Sequence, residues 1–545
     1  MNIKLLPIAF TLALFACTKT PEPTAPPKPK TSDAASPATM QPVAEKSDAA
    51  HETGIAWRKG DVDAAFTQAK ADNKPVFLYW GAVWCPPCNQ VKATIFNRQD
   101  FIERSRLFVP VYIDGDSPSA QKLGARFKVS GYPTMILFKP DGSEITRLPG
   151  EADVEQYMRV LQMGMNGARP VKDTLSAALD KGGSAAARLS AEDWRMLAYY
   201  SWDTDEQQIV PKDKVPSTLA NLARACPADE HDTAARLELK ALAAAAGAKG
   251  AKARDDKAAE DRVMHVLGDP KFARENFDVI VYSVGEIAGY ITLPKSAERA
   301  RLAATWNSAL DLLIADRSLS AADRLAALGA KIELARLDTP KAAPLPNVLQ
   351  NIVRDQVARA DRETTDAYAR QSVISAAADV LAQAGLMDES DTLLNAELTR
   401  SHSPYYFMLG LAANAKKRGD KAAALDWEEK AYTAADGPAT RLQWGVHYVN
   451  ALVDLAPQDA VRIEKAAQSV IGELDANPDT FYARNGRSLE RMGKKLSAWN
   501  KDKQHEVALN RIRAQMASVC AKLPATDSAR STCNAVLNTA NVSKA

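Results

Sequence analysis

Two cysteines, Cys85 and Cys88, are separated only by two prolines, and this pair constrains the chain more than any other feature. Residues 75–80, just before the pair, are apolar and rich in strand-forming side chains, which indicates a buried strand. Residues 89–97, just after it, repeat apolar side chains at helical spacing. The cysteines therefore lie where a strand turns into a helix, with Cys85 at the helix N-terminus.

This position predicts the chemistry of the two thiols. Unpaired N–H groups and the helix dipole favour an anion at a helix N-terminus, so we expect the thiol of Cys85 to ionise more readily than an ordinary thiol. Cys88 lies one turn further into the helix, and we expect it to be the less exposed, resolving thiol. A zinc site needs about four ligands, and no second pair of cysteines or histidines lies nearby, so no metal is predicted.

Two motifs carry a resemblance to a known family. Residues 84–88, WCPPC, resemble the WCxxC motif of the thioredoxin superfamily, and residues 131–138, GYPTMILF, resemble its cis-proline loop and the strand behind it. Trp57 and residues 69–75 look most like the thioredoxin-like domain of bacterial transmembrane disulfide reductases. The element order predicted for residues 51–168, βαβαββα, implies an α/β thioredoxin-like fold with a central mixed sheet flanked by helices.

The resemblance also implies roles for individual residues. Cys85 and Cys88 would be the catalytic redox pair. Trp84, Tyr132 and Pro133 would bind the substrate, with Pro133 in the cis form holding the backbone of Tyr132 against an extended substrate and leaving the sulfurs exposed. The resemblance implies no cofactor.

Two positions depart from the family pattern. Thioredoxins carry a buried Asp six residues before the first cysteine, and here that position is Tyr79. The Lys that usually partners this Asp is replaced by Pro110. A tyrosine with a pKa near 10 is no base at neutral pH, so the usual proton acceptor for Cys88 is missing.

The N-terminus has the pattern of a targeting segment. Lys4 precedes an apolar stretch, residues 5–15, that is too short to span a membrane. Residues 14–17, LFAC, resemble a bacterial lipobox, which implies a signal peptide over residues 1–17 and lipidation of Cys17. The alternative, ordinary signal cleavage, has a poor A-x-A site here. Because Thr18 rather than Asp follows the cysteine, a periplasmic protein anchored in the outer membrane by its lipid is favoured.

Residues 18–50 are rich in proline and alanine and hold no aromatic residue, so we predict a disordered linker. From residue 170 to 545 the chain is alanine-rich and helical in period. Residues 371–436 resemble tetratricopeptide repeats, although the Trp and Pro signatures of that repeat are missing or displaced. A repeat-like solenoid and an irregular helical bundle both remain open for this region.

The remaining cysteines fit an oxidising compartment. Cys520 and Cys533 flank a predicted turn between two short helices, which favours a structural disulfide. Cys226 is left over as a free thiol that we expect to be buried rather than reactive. The six histidines are scattered, and Trp194, Trp306, Trp427 and Trp444 are expected in the core rather than in a ligand site.

Charge and motifs limit the function. A formal net charge of +2 gives no reason to expect nucleic acid as a partner. We therefore predict an envelope thiol–disulfide oxidoreductase that exchanges disulfides with protein or peptide substrates, mainly as a reductase. Such an enzyme needs an upstream membrane electron donor, because the periplasm is oxidising. The alternative is a non-enzymatic envelope scaffold lipoprotein whose helical region binds partners.

Overall fold

The computed structural model describes residues 54–537, except 118, 130, 149–152, 168, 181–188, 206–207, 341–342 and 475–476. The predicted signal peptide with Cys17 and the linker of residues 18–50 lie outside the described residues.

The first part of the chain is built on a mixed sheet of five strands, in the order β1-β3-β2-β4-β5. The strands are β1 (Arg58–Lys59), β2 (Val76–Gly81), β3 (Val109–Asp114), β4 (Thr134–Phe138) and β5 (Glu144–Leu148). The central strand β2 is buried along its whole length. It runs parallel to β3 and antiparallel to β4. A strand buried on both sides must be apolar throughout, which explains the unbroken apolar run before Cys85.

Five helices accompany the sheet. They are α1 (Val62–Asp72), α2 (Pro86–Val91, continued by a π-helical turn Lys92–Phe96), α3 (Gln99–Arg104), α4 (Ala120–Arg126) and α5 (Val154–Met165). The predicted α/β thioredoxin-like fold is confirmed, with one addition. The two-residue strand β1, which pairs in parallel with β3 at the sheet edge, is too short for a periodicity to reveal it.

The sheet has an apolar core on each face. Phe77 and Tyr79 point into one core, and Leu78 and Trp80 point into the other. This division follows from the pleat, because successive side chains of a strand point to opposite faces.

The rest of the described chain is helical. Its helices are α6 (Val171–Ala178), α7 (Ala191–Tyr199), α8 (Val215–Ala225), α9 (His231–Ala246), α10 (Lys257–Gly268), α11 (Pro270–Glu275), α12 (Phe277–Tyr282), α13 (Val284–Ile291), α14 (Ala297–Ala315), α15 (Ala321–Arg336), α16 (Asn347–Glu363), α17 (Ala367–Gln383), α18 (Met387–Glu397), α19 (Pro404–Arg418), α20 (Lys421–Ala434), α21 (Pro438–Leu455), α22 (Ala460–Gly472), α23 (Ala483–Trp499), α24 (Glu506–Ala521) and α25 (Ser528–Ala535). We call residues 171–537 the helical region.

Helical hairpins recur within this region, and local sequence explains their turns. Between α19 and α20, Gly419 adopts a positive φ of 81° and ends the first helix, while the side chain of Asp420 caps the second. Gly385, between α17 and α18, also adopts a positive φ, of 84°, although no described side chain caps α18. The likeness of residues 371–436 to tetratricopeptide repeats stays a prediction.

The helical region packs directly against the thioredoxin-like part. One apolar core contains Trp84, Cys85 and Cys88 together with buried side chains of helices α19 to α25. The redox motif is therefore part of the same core as the C-terminal helices, which are more than 300 residues away in sequence.

Candidate active site

The strand-to-helix turn around Cys85 and Cys88 has a local explanation. Pro86 and Pro87 occupy the first positions of α2, where a missing N–H leaves no helical hydrogen bond unmade. Cys85 is the N-cap of this helix in an extended conformation, and its Sγ accepts a hydrogen bond from the backbone N–H of Cys88 at 3.2 Å. This is the donor that the prolines leave available, and it faces the sulfur that we expect to ionise.

Cys85 and Cys88 are joined as a disulfide, with 5.2 Å between their Cα atoms. The cis-proline loop lies against this pair: the Tyr132–Pro133 peptide bond is cis, as predicted, and the carbonyl oxygen of Tyr132 lies 3.5 Å from Cys85 Sγ. The Tyr132 hydroxyl accepts a hydrogen bond from Gln121 Nε2 at 3.3 Å. Burial raises the pKa of Tyr132 above its usual value, so this side chain is neutral at physiological pH.

The position behind the disulfide is aromatic rather than acidic. Tyr79 is buried on β2, and its ring stacks on Tyr112 at 5.4 Å and meets the edge of Phe96 at 4.9 Å. Pro110 is buried on β3 beside Phe77. Neither Tyr79 nor Pro110 supplies a carboxylate or an ammonium group at the two positions where thioredoxins carry a buried ion pair.

Three residues of the helical region cover the face around the motif. The Trp84 ring stacks on Tyr406 of α19 at 5.9 Å and meets Trp444 of α21 at 4.8 Å in a T-shaped arrangement. The guanidinium of Arg484, on α23, lies 5.1 Å from the Trp84 ring centroid and 5.3 Å from that of Tyr132. Arg484 thus bridges the two aromatic side chains that flank the disulfide, through cation–π contacts.

Polar contacts fix the backbone of the motif to the same region. Gln371 of α17 donates from Nε2 to the carbonyl of Trp84 at 3.2 Å. His402, just before α19, lies with Nε2 3.1 Å from the carbonyl oxygen of Val83, which also accepts from Asn89 Nδ2 at 2.8 Å. These bonds satisfy carbonyl groups that the turn leaves outside the sheet and the helix.

These helices leave almost no surface of the two cysteines exposed. Cys85 is 2% exposed and Cys88 0% exposed. Cys88 is the less exposed of the two cysteines, as expected, but the expectation that the sulfurs are exposed is wrong. In a thioredoxin-like domain alone this face would meet solvent, whereas here α19, α21 and α23 lie over it.

Next to the motif lies a cavity of about 780 Å³. Trp84, Pro86 and Pro87 line it from the redox motif, and Tyr406, Trp444 and Arg484 line it from the helical region. His447 lines the cavity as well, and Arg491, which also lines it, is exposed, so the cavity opens to solvent. Its volume lies within the range of roughly 300–1,000 Å³ that small-ligand sites occupy.

The cavity is cationic near Trp84. Desolvation, reinforced by Arg491 and Arg484, lowers the pKa of His447, which is therefore neutral at pH 7. Desolvation lowers the pKa of Arg484, and the neighbouring charges of Arg487 and Arg491 lower it further. Tyr132 acts in the opposite direction and raises this pKa.

Sequence reasoning missed several of these residues. Trp444 is buried, as expected, but it is also a wall of the cavity, and His402 and His447 are not ordinary scattered histidines. Arg484 was not singled out at all. No local pattern marks these residues, because each lies beside a motif or cavity wall about 320 to 400 positions earlier in the chain.

The other predicted cysteines lie elsewhere. Cys520 and Cys533 are joined as a disulfide with 5.6 Å between their Cα atoms; it links α24, which is sixteen residues long rather than short, to the short helix α25. Cys226 is free and half-buried, and burial, reinforced by Glu230 and Asp229, raises its pKa to about 11. Cys17 lies outside the described residues.

Within the part of the chain that the structure describes, no group of three or more His, Cys, Asp or Glu side chains is arranged to hold a metal ion. In the same residues, every helix is too short or too polar to cross a bilayer.

Comparison with known proteins identifies relatives of the first part of the chain. A family model described as a thioredoxin-like domain matches residues 62–164. A thioredoxin of Mycolicibacterium smegmatis is 30% identical over 99 residues, which are 18% of this chain and 86% of that protein. The thiol:disulfide interchange protein DsbD of Pseudomonas fluorescens is 29% identical over 103 residues, which are 18% of each chain.

The match to DsbD thus spans less than a fifth of that protein's length. Among solved structures, the solution structure of a thioredoxin from Thermus thermophilus is similar at 25% sequence identity and a TM-score of 0.19, covering 20% of this chain and 85% of that one.

Proposed function

The chain belongs to the thioredoxin family through residues 62–164, and we propose that it is a thiol–disulfide oxidoreductase of the bacterial cell envelope. The observation that carries the proposal is the Cys85–Cys88 disulfide at a helix N-terminus, with the Cys88 N–H donating to Cys85 Sγ. This hydrogen bond stabilises the thiolate form of Cys85, so Cys85 is the nucleophile.

The reaction proceeds by two exchanges at the reduced pair. The Cys85 thiolate attacks one sulfur of a substrate disulfide, that disulfide breaks, and half of the substrate leaves as a thiolate. Cys88 then attacks Cys85 Sγ and releases the other half. Because Tyr79 stands where thioredoxins carry an acid, the proton of Cys88 passes to water or to a departing substrate thiolate.

The substrate and its surroundings follow from the same proposal. Trp84, Tyr132 and Pro133 would bind the substrate cysteine, since the carbonyl oxygen of Tyr132 lies beside Cys85 Sγ. The substrate must reach them past Tyr406, Trp444 and Arg484. A lipid on Cys17 would hold the protein at a membrane, with the outer membrane favoured by Thr18. An upstream membrane dithiol donor would return electrons to the pair, because the reductase direction consumes two electrons in each cycle.

A trapping experiment tests the assignment of the two thiols. Full-length Cys88→Ser, reduced and mixed with 2-hydroxyethyl disulfide, should accumulate a mixed disulfide on Cys85, because its resolving thiol is gone. Cys85→Ser should not accumulate one on Cys88. The matched control is Cys226→Ser, which removes the free thiol and should turn over as the native chain does. Equal trapping by both active-site variants would overturn the roles, and trapping by neither would favour the non-enzymatic scaffold.

A further inference from the structure

We propose that the cavity beside Trp84 is the substrate site of this oxidoreductase and that it selects carboxylate-bearing cysteine segments of small cross-section. The inference rests on the proposed function and names the substrate class of the same site. It starts from the burial of Cys85 and from the two guanidinium groups that line the cavity.

The first step concerns what can reach the sulfur. A folded partner protein needs about 800 Å² of free surface on this chain to form a specific complex. The face around Trp84 and Tyr132, which would offer that surface, is already occupied by Tyr406, Trp444 and Arg484. Neither cysteine lines the solvent-open cavity, but the cavity adjoins the motif at Trp84, Pro86 and Pro87. It is the approach that remains for a small disulfide or an extended segment.

The second step concerns charge. Arg484, Ser488 and Arg491 all line the cavity, and their spacing of four and three residues places them on one face of α23. The two guanidinium groups are attached about 10 Å apart along the helix axis. Among the described residues, neither lies within ion-pair distance of a carboxylate, and Arg491 donates only to Ser488 Oγ at 2.9 Å. Two such groups beside a redox pair suit a ligand with carboxylates.

The third step concerns the acids of the cavity. Asp379 and Glu333 line it as well. Asp379 lies eight residues beyond Gln371, whose side chain touches the motif, and is therefore about 12 Å further along α17. It also accepts a hydrogen bond from Gln383 Nε2 at 2.6 Å. Asp379 nevertheless acts electrostatically on Tyr406, which stacks on Trp84, so the acids are not remote from the redox motif. Lys417 also lines the cavity, and among its described residues the three cationic side chains, Arg484, Arg491 and Lys417, outnumber the two acids, which favours an anionic ligand.

The cavity also offers aromatic surface to the apolar parts of a substrate. Trp84, Tyr406 and Trp444 offer ring faces and edges beside Arg484. An extended segment can lay its methylene groups and sulfurs on these rings while its carboxylates pair with the guanidinium groups. In the reaction, two electrons pass from the dithiol to the bound disulfide, which leaves as two thiols after each half takes up a proton from water.

The test uses three small disulfides of similar reach: anionic 3,3′-dithiodipropionate, neutral 2-hydroxyethyl disulfide and cationic cystamine. The rate at which each oxidises the reduced Cys85–Cys88 pair of the full chain is divided by its rate with dithiothreitol, which removes intrinsic reactivity. We expect the normalised rate to be about tenfold higher for the anion than for the neutral compound, and lowest for the cation. Higher salt should narrow these differences.

Variants locate the preference. Arg484→Gln and Arg491→Gln should each reduce the ratio of anionic to neutral rates about threefold or more, whereas Arg484→Lys should retain most of it. A ratio is used because it cancels any effect of the substitution on the Cys85 thiolate. The matched control is Lys494→Gln on the same helix, whose side chain pairs with Glu490 outside the cavity and should leave the ratio unchanged.

The outcomes separate the two proposals. If all three disulfides oxidise the pair at equal normalised rates, the substrate class is wrong and the oxidoreductase function stands. If none of the three disulfides oxidises the pair, the proposed function itself fails. A final comparison places the same acidic cystine peptide either free or on a flexible tail of a folded carrier. Equal rates identify protein tails as a source of the substrate, and a rate confined to the free peptide identifies small disulfides, either of which is consistent with the carboxylate preference.

Discussion

Asp116 and Thr440 are joined by two hydrogen bonds across 324 positions of the chain. The carboxylate of Asp116 accepts from the backbone N–H of Thr440 and from its Oγ1, both at 2.6 Å. Thr440 is the third residue of α21, and the N-cap of this helix is Gly437, which has no side chain to cap it. The loop after β3 thus supplies the N-terminal cap of α21. This contact stabilises the packing of α19, α21 and α23 over the redox motif, and we call these three helices the cover.

Asp116→Ala should make Cys85 more reactive. Loss of a helix cap costs about 1 kcal/mol, which corresponds to about a fivefold larger open population if the loss falls on the cover. We therefore expect the Cys85 thiol of the reduced full-length variant to be alkylated by iodoacetamide about fivefold faster, with the modified residue assigned by mass spectrometry.

The matched control for that experiment is Asp459→Ala. Asp459 caps α22 by accepting from the backbone N–H of Arg462 at 3.1 Å, inside the helical region. Its loss should lower stability by a similar amount while leaving the alkylation rate of Cys85 nearly unchanged. Equal acceleration in both variants would mean that Asp116 acts through global stability and not through the cover.

Asp116 should also make stability depend on pH. Burial raises its pKa from 3.8 to about 6, with Asp114 and Asp436 adding repulsion and the bonds from Thr440 opposing the rise. A carboxyl whose folded pKa is raised binds more protons in the folded state than in the unfolded state between these values. The stabilisation that comes from protonation of Asp116 is therefore fully present below pH 3.8 and is lost as pH rises to about 6, whereas its hydrogen bonds to Thr440 persist in the ionised form.

Asp116→Asn tests that sign. The free energy of unfolding of the native chain minus that of the variant, measured by urea titration, should fall as pH rises from about 4 to 6.5 and then level off. A difference that rises over the same window would show that the carboxylate is stabilised, not destabilised, in the folded protein.

The Cys520–Cys533 disulfide should contribute to stability. The two cysteines are 13 positions apart, and closing a loop of this size stabilises a fold by about 3 kcal/mol in the entropic treatment. Cys533→Ser should lower the free energy of unfolding by about that amount in the absence of reductant. Cys226→Ser, which removes a cysteine that is already free, is the control and should change it little. Peptide mapping that finds both thiols free would contradict the bridge.

Cys17 should carry the membrane anchor. In Cys17→Ala the lipobox loses its acceptor thiol, so we expect a precursor that is uncut or that no longer partitions into detergent. Firm binding needs more than one acyl chain, and the diacylglycerol is attached through the cysteine sulfur, which alanine lacks. Normal processing together with normal membrane recovery of the variant would exclude lipidation at this residue.

The direction of the reaction can be followed in cells by thiol trapping. A reductase in an oxidising compartment must be recharged continuously, so Cys85 and Cys88 should be found reduced in normal cells and oxidised once a membrane electron donor is removed. A pair that stays oxidised in normal cells would instead indicate an oxidase.

Much of the thioredoxin-like fold was predictable because its signals are local. The buried run of β2 and the turn at Cys85 are each encoded within about ten neighbouring residues. The start of the helix Ala297–Ala315 is likewise set locally, since the side chain of Ser296 caps it. The strand β1 was missed because two residues carry no period, and its pairing with β3 depends on the completed sheet.

The sequence by itself determined the chemistry of this protein, because Cys85 and Cys88 at a helix N-terminus need only their own turn to react as a redox pair. Tertiary structure alone decided which substrates can reach Cys85. No sequence motif marks Arg484, Trp444 or Thr440. Arg484 and Trp444 lie beside Trp84, and Thr440 beside Asp116, because α21 and α23 pack against the thioredoxin-like part. Such contacts are set by the burial of apolar surface on many elements at once, and no short stretch of sequence encodes that sum.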